Sequence, residues 1–206
     1  NNIQIRDNTI HGIEANQTAN ADAHAIAVYG DDGSTPLADV QVVGNEIHSC
    51  LLGTSEALVV NGNVDGFEIA DNYVHDCDNI AIDVIGFEEV CPTPALDQAR
   101  NGYVAWNTVH DIDTRENPGY MDEGSAAGIY IDGGFSVVVE NNDISCCNYG
   151  IEIGCEHEGK TTTNVMVRNN IIHANFGAGI VFGGYDVSMG RVEGCVFTGN
   201  TLYRNA

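Results

Sequence analysis

The stretch NIQIRDNTIH at Asn2–His11 returns six times down the chain. It reappears as VQVVGNEIH at Val40–His48, FEIADNYVH at Phe67–His75 and YVAWNTVH at Tyr103–His110. The later copies are VVVENNDIS at Val137–Ser145, VMVRNNIIH at Val165–His173 and CVFTGNTLY at Cys195–Tyr203. Each carries one asparagine in register: Asn8, Asn45, Asn72, Asn107, Asn142, Asn170 and Asn200, at spacings of 37, 27, 35, 35, 28 and 30 residues. Between the copies lies a second short segment that ends at a turn: AIAVYG to Gly30, ALVVNG to Gly62, AIDVIG to Gly86, GIYIDG to Gly133, GIEIGC to Cys155 and GIVFGG to Gly184. Apolar and polar residues alternate with a period of two in both segments, which makes them strands.

A strand-turn-strand-turn unit of about 30 residues cannot bury its own inner face, but a stack of such units can. Valine and isoleucine recur three and five positions before the asparagine and two after it, so stacking forms apolar columns. No Asn-Gly or Asp-Gly turn recurs at hairpin spacing, which argues against a sandwich. The sequence therefore predicts an all-β, right-handed parallel β-helix of six to seven rungs, the hand following the preference of parallel crossovers. Residues 1–206 form a single domain on this reading. Insertions are expected at residues 14–23, 31–39, 88–99, 113–125 and 184–194. The asparagines are assigned to one corner, in the left-handed conformation and bonding between rungs. The glycines are assigned to the second corner.

Composition narrows the partners. The 206 residues include 30 Asp and Glu against 7 Lys and Arg, for a net charge of −23. Nucleic acid requires a basic footprint and is excluded. No apolar run approaches the length of a membrane span. One lysine, Lys160, among so many acids fits a high-salt or extracellular setting.

Aligning the second segments places Ala27, Val59, Asp83, Tyr130, Glu152 and Val181 in one outward column. Three consecutive rungs thus present carboxylate, phenol and carboxylate. Asp83 and Glu152 lie two rungs apart, about 9.6 Å along the backbone, and side-chain tilt brings them toward the roughly 6.5–9.5 Å separation of inverting glycoside hydrolysis. Glu88, Glu89, Asp132, Glu156, His157, Glu158 and Lys160 follow on the adjoining loops. The site expected from these residues has Asp83, Tyr130, Glu152, His157 and Lys160 as catalytic groups. Glu88, Asp132, Glu156 and Arg100 would bind substrate. No cofactor is required, although calcium, which favours carboxylate oxygens, would draw on Asp83, Asp132 and Glu152. The competing reading is a solvated acidic face.

Two further columns stand out. His11, His48, His75 and His110 would form an outward stripe of imidazoles, with His173 beyond Ser145. This is read chiefly as structural stacking, with metal or ligand binding as alternatives. Seven cysteines leave an odd count. Cys50 with Cys77 on adjacent rungs, or the loop residues Cys91 with Cys155, are the candidate disulfides, and Cys195 is expected as a buried thiol.

The repeats resemble the right-handed parallel β-helix proteins of bacteria, the superfamily that contains pectate lyases, alginate-active enzymes and some glycosidases. The run from VDGFEIADNYVHDCDNIAIDVIGFEE through ARNGYVAWNTVHDIDT and AAGIYIDGG to YGIEIGCEHEGK resembles a secreted, uncharacterised subgroup of it. The resemblance implies a secreted protein acting on a polysaccharide or oligosaccharide by glycoside hydrolysis or β-elimination. Polygalacturonase-type signatures are incomplete here, and a lyase of this superfamily needs an Arg or Lys base above a calcium-binding cluster, for which few basic residues are present. The alternative is a noncatalytic solenoid for glycan binding, adhesion or spacing that self-associates end to end. With a strand at each end and no capping helix, the sequence reads as a segment of a longer chain.

Overall fold

The computed structural model describes residues 2–15, 21–184, 186 and 188–206. Three parallel sheets wind around one apolar core. The second sheet is the simplest, with one strand from each of seven rungs: Thr9–His11, Glu46–Cys50, Tyr73–Cys77, Thr108–Ile112, Asp143–Cys147, Ile171–His173 and Thr201–Tyr203. The first sheet runs from Ile3–Arg6 through Leu37–Val43, Val64–Ala70, Arg100–Ala105 and Phe135–Glu140 into the last two rungs, where each strand divides into two shorter ones. The third sheet holds Ile26–Gly30, Leu58–Gly62, Ile82–Ile85, Ala127–Asp132, Tyr149–Gly154 and Ile180–Phe182. This is the predicted right-handed parallel β-helix. Inward columns such as Val42, Ile69, Val104, Val139 and Val167 are wholly buried, and burial of such residues supplies most of the driving force.

The rung has three strands where two were expected. The reason lies in the residue before each ladder asparagine. Asp7, Gly44, Asp71, Trp106, Asn141, Asn169 and Gly199 all have φ between 54° and 72°, so the first segment breaks there into strands of different sheets. The asparagines themselves are not left-handed, contrary to expectation. Their role is the amide ladder: Asn72 Nδ2 donates to Asn107 Oδ1 at 3.0 Å and to Val42 O at 2.9 Å, and the Asn72 backbone N–H donates to the same Asn107 Oδ1 at 3.0 Å. The pattern repeats from Asn8 to Asn200.

The second-corner glycines divide in purpose. Gly62 and Gly133 have φ of 78° and 81°. Gly30 is needed for space instead, because a Cβ there would lie 2.3 Å from Asn63 O.

The insertions at 88–99 and 113–125 are loops, the latter opening with a 3-10 turn at Thr114–Glu116. The segment 184–194 is less of an insertion than expected, since Arg191–Glu193 returns to the first sheet, and 31–39 ends inside the strand Leu37–Val43. Residues 16–20 of the first expected insertion, with 185 and 187 of the last, lie outside the described residues.

Candidate functional site: a carboxylate-lined cavity on the third sheet

Pairing on the third sheet sets Ala27, Val59, Asp83, Tyr130, Glu152 and Val181 side by side, in the register expected. Their exposure is not as expected. Asp83 is 2% exposed and Tyr130 5%, and the loop residues Tyr120, Glu123 and Glu156 share a cavity lining with Tyr130. The 113–125 loop is pinned by Asn117 Nδ2, which donates to Gly53 O at 2.7 Å and Asp78 O at 3.0 Å, and by Asn79 Nδ2, which donates to Tyr120 Oη at 2.9 Å. The 88–99 loop is tied by Asp97, whose carboxylate accepts from the backbone N–H groups of Glu89 and Cys91 at 2.7 and 2.9 Å. Phe87 and Glu89 on either side of Glu88 have φ of 77° and 61°, a strained backbone for residues with side chains.

What reaches solvent is a cavity of 490 Å³ over the C-terminal half of the sheet. Glu152, Glu156 and Tyr130 line its polar side, with Tyr120, Tyr149 and Phe182 as aromatic walls. Phe182 is 63% exposed. Tyr130 Oη donates to Glu156 Oε1 at 3.5 Å, a long contact that a ligand oxygen would outcompete. A second opening of 350 Å³ is bounded by Phe87, Glu88, Glu89 and His157.

The electrostatics are one-sided. Burial, then repulsion from Glu156, pushes the Glu152 carboxyl up to about 7. Burial raises Glu56 to about 7, and burial with Glu156 beside it raises Asp132 to about 8. Asp83 is held well above the carboxylate range by burial and by Glu56 and Asp132. Burial also raises Glu156, and the Tyr130 phenol is raised by burial and by Asp132 and Glu156. Among the described residues none of these carboxylates pairs with Lys or Arg. Burial without a basic partner favours the protonated form of Asp83 and Asp132 most strongly, and Glu56 faces the His24 imidazole, at 3.6 Å.

Three donors, two carboxylates and an imidazole, converge at the second opening. Glu88, Asp132 and His157 each bring one ligand atom to within 4.8 Å of the others. Asp83 and Glu152, expected with Asp132 around calcium, are not in this group. Arg100 is not in the site at all. It lies on the first sheet, where it pairs with Asp65 at 3.0 Å and donates to Asn63 Oδ1 at 2.9 Å and Gln98 O at 3.0 Å, a clamp on the 88–99 loop. Lys160 sits over the Phe87 ring at 5.1 Å, beside Glu89 and Cys91.

Neither candidate disulfide is formed. Cys50, Cys77, Cys91 and Cys155 are all free thiols. Cys50 and Cys77 do lie in register, and their thiols donate to His48 O and His75 O at 3.3 Å. Cys195 is half-buried rather than buried. The imidazole stripe stacks as expected, with ring centroids 5.0–5.1 Å apart from His11 to His110.

Sequence reasoning missed Glu56, Asn61 and Tyr120, and with them His24, which faces Glu56 at 3.6 Å, and Tyr29, whose hydroxyl lies 2.9 Å from His24 Nε2. Asn61 and Tyr29 were within reach, since they occupy the next outward column, Tyr29–Asn61–Ile85–Asp132–Gly154. Glu56, His24 and Tyr120 stand on corners and loops whose path no periodicity reports.

The comparisons agree with this architecture. The family described as a right-handed beta helix region matches residues 1–205, and the chain belongs to it. Over 204 residues it is 41% identical to the uncharacterized protein YwoF of Bacillus subtilis (strain 168), a match covering 98% of this chain and 42% of YwoF. The chain thus spans less than half the length of that relative. Among solved structures it is similar to the periplasmic alginate epimerase AlgG, with a TM-score of 0.54, 14% identity, and coverage of 98% of this chain and 43% of AlgG. At that identity the likeness is one of fold. No helix among the described residues is long and apolar enough to cross a membrane.

Proposed function

We propose that this β-helix acts outside the cytoplasm on a polysaccharide or oligosaccharide, and that it hydrolyses a glycosidic bond in the cavity over Glu152, Glu156 and Tyr130. The observation that carries the reading is the juxtaposition of two carboxyl groups with a phenol in a 490 Å³ cavity walled by aromatic side chains. Aromatic faces suit the apolar faces of sugar rings, and a few polar groups then fix orientation. Similarity of fold to an alginate epimerase supports the substrate class.

Glu152, with its carboxyl raised to about 7, is the general acid and protonates the leaving oxygen. Glu156, at the exposed rim, is the carboxylate that activates water or stabilises the developing positive charge at the sugar. Tyr130 stays a neutral phenol among carboxylates and donates a hydrogen bond to the substrate, which disfavours it as the base of an elimination. Asp83 is too deeply buried to touch a glycan, so the partner of Glu152 is reassigned from Asp83 to Glu156.

A panel of glycans assayed with the wild-type chain, Glu152→Gln and Glu156→Gln tests this. Loss of a positioned acid or base costs about a hundredfold to ten-thousandfold in turnover. Full activity in both variants on a substrate cleaved by the wild type would rule the pair out. A noncatalytic glycan binder would instead retain the ligand and cleave nothing.

A further inference from the structure

We infer that Glu88, Asp132 and His157 form a binding site for a divalent transition-metal ion, at the opening bounded by Phe87, Glu88, Glu89 and His157. Their ligand atoms lie within 4.8 Å of one another. Donors around one such ion stand about 3–3.5 Å apart, given metal–ligand bonds of about 2.0–2.2 Å. The exposed Glu88 side chain has only a small swing to make. Asp132 is already oriented, because the Glu156 backbone N–H donates to its Oδ1 at 2.8 Å, leaving Oδ2 for an ion.

The second observation concerns polar atoms that the protein leaves without partners. His157 Nε2 is shielded from solvent and makes no hydrogen bond. Asn61, 1% exposed, has an unpartnered Oδ1 while its Nδ2 donates to Glu88 Oε2 at 2.7 Å. A buried amide that holds a carboxylate in place is the usual support for a metal ligand, and unpaired buried polar atoms call for an explanation. Asp83 Oδ1, likewise buried and unpartnered, lies one rung from the Tyr130–Asp132 strand.

The chemistry of the donors selects the ion. Calcium takes six to eight oxygens, whereas an imidazole with two carboxylates suits zinc, manganese or iron and leaves positions open for water. The set therefore differs in both residues and preference from an all-carboxylate calcium site on Asp83, Asp132 and Glu152. The inference stands apart from the glycan reading, because it concerns binding alone.

Manganese is the probe of choice, since thiols and the imidazole stripe hold it weakly. Chelator-stripped protein should be titrated with Mn2+, following loss of the free-ion electron paramagnetic resonance signal, for wild type, His157→Gln, Glu88→Gln and, on the first sheet, the exposed Glu193→Gln. We expect one ion per chain, displaced by Zn2+ and not by a tenfold excess of Ca2+. Affinity should fall about tenfold or more in the first two variants and stay unchanged in Glu193→Gln. All three positions are exposed or half-buried, and circular dichroism confirms that each variant is folded. No uptake by the wild type, equal affinity in all variants, or displacement by Ca2+ would overturn the assignment.

Discussion

Asp83 is a carboxyl group in a place that suits a neutral one. It is flanked in its column by the wholly buried Val59 and the nearly buried Tyr130, and its Oδ1 has no partner. Its folded pKa lies above its unfolded value, so its contribution to stability is fully present below the unfolded value of about 3.9 and is lost as pH rises through the folded pKa. Asparagine keeps the shape and cannot ionise. Asp83→Asn should thus gain melting temperature relative to wild type on going from pH 5 to pH 8, measured with chelator present. A difference that is independent of pH, or that moves the other way, would show that Asp83 is not a strained carboxyl. The position of Asp83 was legible in the sequence, because a period of two assigns faces. Its burial was not, since the loops beside this sheet are placed by contacts such as Asn117 to Gly53, 64 residues apart.

The asparagine ladder shows how an element is built from one repeated residue. Each interior amide closes the bend in its own rung and satisfies the next. Replacing Asn107 removes the acceptor used by the Asn72 backbone N–H and Nδ2, and also the donor to Ile69 O and Asn142 Oδ1. Unsatisfied buried groups cost about 1–3 kcal/mol each, so Asn107→Ala should destabilise the fold by about 3 kcal/mol in urea unfolding. Asn8→Ala, at an exposed end of the ladder, should cost less than about 1 kcal/mol. Equal costs at the two positions would mean that the ladder does not stabilise the stack cooperatively. The ladder was readable from spacing alone. The three-stranded rung was not, because the break comes from a left-handed residue whose identity varies from Asp to Gly to Trp, and the sequence marks only the constant asparagine beside it.

At the scale of the whole molecule, seven rungs act as a ruler that sets side chains at fixed intervals, and the loops decide which become a site. Acidic groups gather on one face: Glu56, Asp83, Asp132, Glu152 and Glu156 form no ion pair with Lys or Arg among the described residues, while Arg100 and Arg168 brace the first sheet through Asp65 and Glu140. The column Asp83–Tyr130–Glu152, legible in the sequence, runs along this face. The choice of Glu156 over Asp83 needed the cavity, which only folded loops define. Hydrolysis and elimination then differ by one molecule of water, and mass spectrometry of the products from a cleaved oligosaccharide distinguishes them directly. With Glu152 as acid and Glu156 as its partner, the summed product masses should exceed the substrate by one water, and Glu152→Gln should abolish both products. Products whose masses sum to that of the substrate, with an unsaturated sugar at the new end, would contradict the account.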